Sequence, residues 1–169
     1  MADVSSTSTA TWAEANARAR VGELVRRLVD RQLTISTAES LTGGLCSYLL
    51  VDEPDSGQVM LGSIVAYSPE EKRRILGVDV SEVVSDECAE QMVAGVQRLF
   101  GSTCAVSFTG VAGPSEVEGK PVGTVHIGVA CGEHHQAFGM QFGGDPDEIR
   151  LQAISAAVQR LADLLAETD

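Results

Sequence analysis

The sequence has few positive charges and no long apolar run. Its 12 lysine and arginine residues are outnumbered by 24 aspartate and glutamate residues, which gives a formal net charge of −12 at pH 7. Direct binding to nucleic acid or to an anionic membrane surface is therefore not expected. No segment approaches the roughly 18 consecutive apolar residues of a membrane helix. An anionic small substrate would need a local cluster of hydrogen-bond donors.

Cysteine is also scarce, and its spacing is not that of a metal site. The four cysteines lie in separate apolar stretches, with no C-x-x-C pair and no metal-type spacing to a histidine. They indicate reduced, partly buried thiols in a cytoplasmic protein, and we predict no metal and no organic cofactor. Residues 1–10 are rich in serine and threonine and lack the features of a signal peptide, so we expect a disordered tail. The cysteines are Cys46, Cys88, Cys104 and Cys131.

Residues 11–169 are predicted to form a single α/β domain. A capping box at Thr11 and Glu14 predicts the start of the first helix, and Ser68-Pro69-Glu70-Glu71 that of the third. The alternating patterns predict about five strands and five helices in a three-layer α/β/α sandwich with a mixed sheet, ending in an antiparallel hairpin. The predicted strands cover residues 33–38, 62–67, 104–108, 122–130 and 136–142, and the predicted helices cover residues 12–31, 41–51, 69–76, 86–100 and the segment after 145.

A polar, glycine-containing segment, Thr37-Ala38-Glu39-Ser40-Leu41-Thr42-Gly43-Gly44, lies where the first predicted strand turns into the second helix. Glycine in a first helical turn costs about 1 kcal/mol relative to alanine, which makes sense if a ligand approaches the backbone. A helix N-terminus offers free N–H groups to an oxyanion, and a serine there can be both cap and nucleophile. Ser40 is therefore a candidate nucleophile beside the amides of Thr42, Gly43 and Gly44. The alternative is that Ser40 only caps the helix.

The start of the third helix brings a tyrosine and a lysine together. Tyr67 precedes the capping residue and Lys72 is the fourth helical residue, two positions that are normally in contact. The lysine is therefore expected beside the phenol, where an apolar setting could lower its pKa and make it a base. The alternative is a surface lysine whose charged end reaches solvent.

A glycine-rich loop follows the third predicted strand, which is a common place for a ligand in α/β sheets. The loop matches neither G-x-G-x-x-G nor the P-loop, so it does not predict generic dinucleotide or triphosphate binding. The alternative is an ordinary connecting loop. The candidate substrate-binding residues in and after it are Thr109, Gly110, Gly113 and Lys120.

Arg150 is the basic side chain near the start of the last helix. A guanidinium at this place could bind a substrate phosphate. It could equally pair with Asp147 or Glu167 on the surface.

The segments TAESLTGG, GSIVAYSPEEKRRILGV, FTGVAGP, GKPVGTVHIGVA and FGGD, in this order and spacing, resemble the CinA C-terminal-domain family. The similarity runs from about Val21 to Leu165. The family includes bacterial deamidases that convert nicotinamide mononucleotide (NMN) to nicotinate mononucleotide and ammonia. The resemblance implies an α/β/α fold, a pyridine-nucleotide substrate and a homo-oligomer. One departure is Pro146, since many members have Gly-Asp-Arg where this chain has Gly144-Asp145-Pro146.

By this resemblance Ser40 corresponds to the family's nucleophile, and Tyr67 and Lys72 fall in its tyrosine and lysine segment. All three are therefore expected to be catalytic: Lys72 takes the serine proton, and Tyr67 either relays it or holds the lysine in place. The expected activity is hydrolysis of a carboxamide through a serine acyl-enzyme. Two other functions stay open. A non-catalytic module linked to competence or DNA damage would have a macromolecular partner and release no ammonia. An amidase of the same mechanism could act on another amide, which the change to Pro146 leaves open.

Overall fold

The computed structural model describes residues 4–167, with side chains from residue 12 onward. Within this range the chain forms five α-helices and five β-strands, as the sequence predicts. The helices are α1 (Val4–Asp30), α2 (Leu45–Val51), α3 (Pro69–Leu76), α4 (Asp86–Phe100) and α5 (Pro146–Glu167). The strands are β1 (Ile35–Glu39), β2 (Met60–Val65), β3 (Cys104–Gly110), β4 (Thr124–Cys131) and β5 (His134–Gln141).

The five strands form one open sheet in the order β2-β1-β3-β4-β5. Strand β1 is parallel to both β2 and β3, whereas β4 is antiparallel to β3 and β5 is antiparallel to β4. The sheet is therefore mixed and ends in the predicted hairpin. In a sheet of this order, ligands bind beyond the carboxyl ends of β1 and β3, where the chain connections diverge to opposite sides. The polar segments identified in the sequence lie at this end.

Two apolar cores cover the two faces of the sheet. One core joins α1, α2 and α5 to the sheet, and the other joins α3 and α4 to its opposite face. The predicted three-layer α/β/α sandwich is thus confirmed. Helix α4 approaches the sheet closely because that face carries small residues. A Cβ atom at Gly128 would lie only 2.5 Å from the Ala89 carbonyl oxygen of α4.

Two helices begin and end where their local signals predict. The Ser68 hydroxyl accepts a hydrogen bond from the Glu71 amide at 3.2 Å, which starts α3, and Gly77 ends it in the left-handed conformation. Helix α4 has the predicted bounds and is followed by Gly101 at φ 65°. These ends are set by residues within one helical turn, so sequence alone identifies them.

Two other helix starts differ from the prediction. Helix α1 begins at Val4, so the Thr11 capping box does not begin it. The residues before Trp12 contain neither glycine nor proline, and nothing in them interrupts the helix. The part of the expected tail from Val4 to residue 10 is therefore helical, while residues 1–3 lie outside the described range. Helix α2 begins at Leu45 instead of Leu41, because residues 41–44 form a turn at the candidate site.

The four cysteines are buried free thiols. Among the described residues, none of the helices combines the length and the apolar character needed to span a bilayer.

Candidate active site

The candidate site lies at the carboxyl ends of the three parallel strands. Ser40 follows the last residue of β1, Tyr67 lies two residues beyond β2, and Thr109 and Gly110 end β3. Because β1 lies between β2 and β3, segments far apart in the sequence converge around Ser40. This is the edge of a doubly wound sheet where ligands are expected.

A buried lysine contacts the Ser40 hydroxyl. The Lys72 Nζ lies 2.9 Å from Ser40 Oγ, and the Lys72 residue is only 1% exposed. Its other two partners are backbone carbonyl oxygens, that of Ala66 at 3.0 Å and that of Tyr67 at 3.1 Å. The alternative of a surface lysine that reaches solvent is therefore wrong. The Lys72 amine points into the protein from α3, and the N-cap of that helix, Ser68, is identifiable from the sequence.

The surroundings of Lys72 favour its neutral form. Burial lowers the pKa of Lys72 below its usual range, while the nearby Cys88 and Glu118 oppose that change. A neutral amine has two N–H donors and one lone pair. The carbonyl oxygens of Ala66 and Tyr67 accept the two N–H groups, which leaves the lone pair facing the Ser40 hydroxyl. In that state the serine O–H donates to Lys72, as a nucleophile donates to its base.

The contact expected between Lys72 and the Tyr67 phenol is replaced by a contact with the Tyr67 backbone. The Tyr67 residue is 75% exposed, and its hydroxyl makes no hydrogen bond to any described residue. The fully buried lysine therefore passes beneath the tyrosine backbone and does not lie against the ring. The ring instead forms part of the walls of two neighbouring cavities.

Glu39 is absent from the residues that the sequence singles out, yet it organises the turn that carries Ser40. Its carboxylate is completely buried at the end of β1. It accepts hydrogen bonds from the amides of Gly44 at 3.0 Å, Cys46 at 3.1 Å and Ser47 at 2.8 Å, and from the Thr37 hydroxyl at 3.2 Å. An anionic side chain satisfies the free amides at a helix N-terminus. An acidic residue just before a helix that lacks another cap is the signal that points to it.

This carboxylate corrects the predicted role of Ser40 as a helix cap and the predicted set of oxyanion donors. The amide of Gly44 is bound to Glu39, and the amide of Gly43 donates to the Ser40 carbonyl oxygen at 3.0 Å. Both glycines have positive φ, 61° at Gly43 and 99° at Gly44, so they are needed for the turn itself. Ser40 therefore lies in a turn before α2. Among the described residues, the amides of Leu41 and Thr42 have no hydrogen-bond acceptor.

The hydroxyl of Thr42 is a second unpaired group in this turn. Its Oγ1 is buried and has no partner among the described residues. A buried polar group without a partner costs about 1–3 kcal/mol. Because this atom has almost no solvent-accessible surface, a ligand can reach it only after the turn shifts.

Two cavities meet at Leu41, the residue after Ser40, and Ser40 itself lines neither of them. The first, of about 410 Å³, lies between the ends of β1 and β3 and the loop after β3. The second, of about 490 Å³, extends over the Thr42–Gly44 turn towards α5. Leu41, Tyr67 and Arg150 line both cavities and form the boundary between them. Thr109, Gly110 and Gly113 line the first cavity, and their predicted contact with a substrate stays a prediction.

The two basic side chains predicted to bind substrate, Arg150 and Lys120, differ in their position relative to the cavities. Arg150 Nε donates to the Leu41 carbonyl oxygen at 2.9 Å, and its Nη1 pairs with Asp147 at 2.6 Å. Of the two predicted surface partners, Asp147 is therefore used. Glu167 instead pairs with Arg160.

Lys120 does not line either of the two cavities. Its Nζ pairs with Glu82 at 2.6 Å. The predicted contact between Lys120 and a substrate therefore has no support in the described structure.

The buried thiols are poor candidates for the nucleophile. Burial raises the pKa of Cys88, whose charge acts on Lys72, to about 11, and burial also raises the pKa values of Cys46 and Cys104 above their usual value. A thiol is nucleophilic only as its thiolate, so these groups are inert near neutral pH. Within the described range, no group of three or more potential metal ligands occurs.

Comparison with known proteins confirms the resemblance. A model of the CinA C-terminal domain matches residues 18–165. CinA-like proteins from Thermotoga maritima and Frankia casuarinae are 40% and 39% identical to this chain, over 84% and 86% of its length. The chain spans 36% and 35% of the length of these relatives.

Solved structures agree in fold. A CinA superfamily protein from Klebsiella pneumoniae is 30% identical with a TM-score of 0.86, and the match covers 89% of this chain and 98% of that one. The competence/damage inducible protein CihA from Agrobacterium tumefaciens is 33% identical with a TM-score of 0.78, and the match covers 86% and 95% of the two chains. On the sequence and the fold together, this chain belongs to the CinA C-terminal domain family.

Proposed function

We propose that this protein is an amidohydrolase that converts NMN to nicotinate mononucleotide and ammonia through an acyl-enzyme on Ser40. The observation that carries the proposal is the buried 2.9 Å contact between Lys72 Nζ and Ser40 Oγ, next in sequence to Leu41, which lines a cavity of about 410 Å³. A hydroxyl held by a desolvated amine has both the nucleophile and the base that acyl transfer requires.

In the first step Ser40 Oγ attacks the carboxamide carbon and Lys72 takes the serine proton. The carbonyl oxygen becomes an oxyanion, and the unpaired amides of Leu41 and Thr42 are the candidate donors for it. Losing one such donor typically costs about 10²–10³-fold in rate. The protonated Lys72 then gives its proton to the leaving nitrogen, the C–N bond breaks, and ammonia departs.

In the second step a water molecule attacks the ester carbon and passes a proton to neutral Lys72. The tetrahedral intermediate collapses, the bond to Ser40 Oγ breaks, and Lys72 returns the proton to the serine. The products are the free serine and the pyridine carboxylic acid, which loses its proton to solvent and leaves as the carboxylate. Tyr67, being exposed at the boundary of the two cavities, is proposed to cover the ring and not to relay a proton.

The two adjoining cavities suit the two ends of a mononucleotide. We assign the pyridine ring to the first cavity, whose wall includes Thr109 and Gly110. We assign the phosphate to the second cavity, where the unpaired Thr42 hydroxyl and the Arg150 guanidinium lie. Arginine binds phosphate through charge-assisted hydrogen bonds.

The test is ammonia release from NMN by the purified protein, with Ser40→Ala as the variant. We expect turnover in the parent and its loss in Ser40→Ala, with circular dichroism and melting temperature showing that the fold is kept. Ser81→Ala, a change at an exposed serine that lines neither cavity, is the control and should retain turnover. Turnover that persists in Ser40→Ala would move the nucleophile elsewhere, and no ammonia at high enzyme concentration would reject the amidase.

A second candidate is an amidase of the same mechanism with a different amide substrate. It is favoured by the pairing of Arg150 with Asp147, which already satisfies part of the guanidinium in the region assigned to phosphate. Comparing NMN with nicotinamide and with simple aliphatic amides separates the two. Preference for an amide without phosphate would support the second candidate.

A further inference from the structure

We propose that Glu118 makes the first cavity selective for amides whose ring carries a positive charge, such as N-alkylated pyridinium carboxamides. The inference rests on the proposed amidase function, and it names a feature of the substrate that Ser40 and Lys72 do not select. The supporting observation is that the wall of the cavity has a net negative charge.

Glu118 is the charge in that wall with no ionic partner. Among the described residues that line the cavity, only Glu118 and Arg150 are charged. Arg150 is paired with Asp147 at 2.6 Å, and no described lysine, arginine or histidine pairs with Glu118. The nearby Lys120 is directed to Glu82 instead. The cavity is therefore left with a net negative wall.

Backbone hydrogen bonds hold the carboxylate at the cavity. One Glu118 oxygen accepts the Val83 amide at 3.0 Å and the other accepts the Val84 amide at 2.9 Å. Val83 and Val84 themselves line the cavity, so the carboxylate of Glu118, an exposed residue, cannot leave the cavity wall without losing both bonds. The two amides orient the charge and leave its sign unchanged.

The rest of the wall strengthens the effect of that charge. Val83, Val84, Val111 and Ala112 present apolar surface to the same space. A Coulomb interaction is larger beside such surface than in water because the local dielectric constant is lower. A cationic ring in the cavity gains this interaction, and a neutral ring of the same shape does not.

A cationic ring would also support the base. Glu118 raises the pKa of Lys72 and so opposes the effect of burial. A positive charge bound in the cavity offsets the field of the carboxylate and moves the amine towards its neutral form. Selectivity for the cation therefore acts on binding and on the protonation state that the reaction needs.

The experiment compares two small amides that differ mainly in charge, nicotinamide and 1-methylnicotinamide. Their kcat/KM values are measured with the parent protein, with Glu118→Gln, and with Glu116→Gln. Glu116 is an exposed residue of the same loop that does not line the cavity, so it is the matched control. Because Glu118 is exposed and partly screened by solvent, we expect the parent to prefer the cation by about fivefold. Glu118→Gln should remove most of that preference and Glu116→Gln should keep it.

The ratio of the two amides separates charge recognition from a merely structural role. Loosening of the loop by Glu118→Gln would change both substrates alike and leave their ratio unaltered. An unaltered ratio in Glu118→Gln, or a parent protein without preference for the cation, overturns the inference even if amide hydrolysis is observed.

Binding keeps this test separate from that of the proposed function. If neither amide is hydrolysed, calorimetry with both compounds measures the same ratio as affinities. Preferred binding of the cation that is lost in Glu118→Gln supports the inference while the amidase proposal fails. Equal binding of both compounds, or binding of neither, overturns it.

Discussion

Replacing Glu39 by glutamine isolates the role of a carboxylate that has no contact with solvent. Glutamine keeps the size of the side chain and removes one acceptor oxygen together with the charge. In the parent, the two oxygens of Glu39 accept hydrogen bonds from the amides of Gly44, Cys46 and Ser47 and from the Thr37 hydroxyl. An amide nitrogen in place of one oxygen must face groups that are themselves donors.

The cost follows from the best orientation of the new side chain. With the amide oxygen towards Gly44 and Cys46, those two bonds persist but become neutral, which weakens each by about 1 kcal/mol. The NH2 group then faces Thr37, whose hydroxyl can rotate to accept, and the Ser47 amide, which cannot. One buried N–H without a partner costs about 1–3 kcal/mol. The sum is a loss of about 3–5 kcal/mol in the free energy of unfolding.

The assay is urea unfolding at neutral pH followed by circular dichroism, together with the melting temperature. In a domain of this size about 1 kcal/mol shifts the melting temperature by roughly 2–4 °C, so we expect a fall of about 6–20 °C. Glu90→Gln, at an exposed residue of α4, is the control and should change little. A loss below about 1 kcal/mol in Glu39→Gln would refute the account of the turn, because the four hydrogen bonds would then contribute almost nothing.

Two further predictions concern the same site. Between the lowered pKa of Lys72 and the usual value of 10.5, the unfolded state binds more protons than the folded state, so parent stability rises with pH across that window. Lys72→Met removes this dependence. The free energy of unfolding of the variant minus that of the parent should therefore be higher at pH 7 than near pH 10. If urea unfolding gives parallel curves of stability against pH for the two proteins, the pKa of Lys72 is not lowered. Gly44→Ala should cost about 1–3 kcal/mol and more than Gly43→Ala, because φ 99° lies outside the left-handed region that alanine tolerates while φ 61° lies within it. Neither new Cβ meets an atom closer than 3.7 Å, so equal losses from the two variants would show that backbone strain is not the cause.

Local signals account for the parts of the fold that the sequence predicts well. The bounds of α4 and the cap of α3 depend on a serine, a proline and a glycine within one turn of the helix end. The hairpin of β4 and β5 depends on a polar turn between two strand patterns. The predicted start of α1 was wrong because a capping box is permissive: a helix can run through it when no glycine or proline precedes it.

The sequence indicated several residues of the candidate site, but it did not indicate how they are arranged. Ser40 and Lys72 lie together, but the lysine contacts the Tyr67 carbonyl oxygen and not the phenol. The phenol cannot be placed from spacing alone, because its direction depends on the cavities at the sheet edge. Glu39 was not singled out, although it is an acidic residue before a helix, because its amide partners begin five residues later at Gly44 and depend on the turn between them.

What the sequence determined by itself is the set of elements and the chemistry available at their ends, because periodicity, caps and glycine turns act over a few residues. The tertiary structure decided which of those ends meet. Strand β1 lies between β2 and β3, and this order brings Lys72 to Ser40, which is 32 residues away in the sequence. It also places the loop that follows β3 beside the same space. It also buried Glu39 against the first amides of α2 and left those of Leu41 and Thr42 unpaired. Contacts of this kind depend on sheet order and burial, which no local pattern encodes.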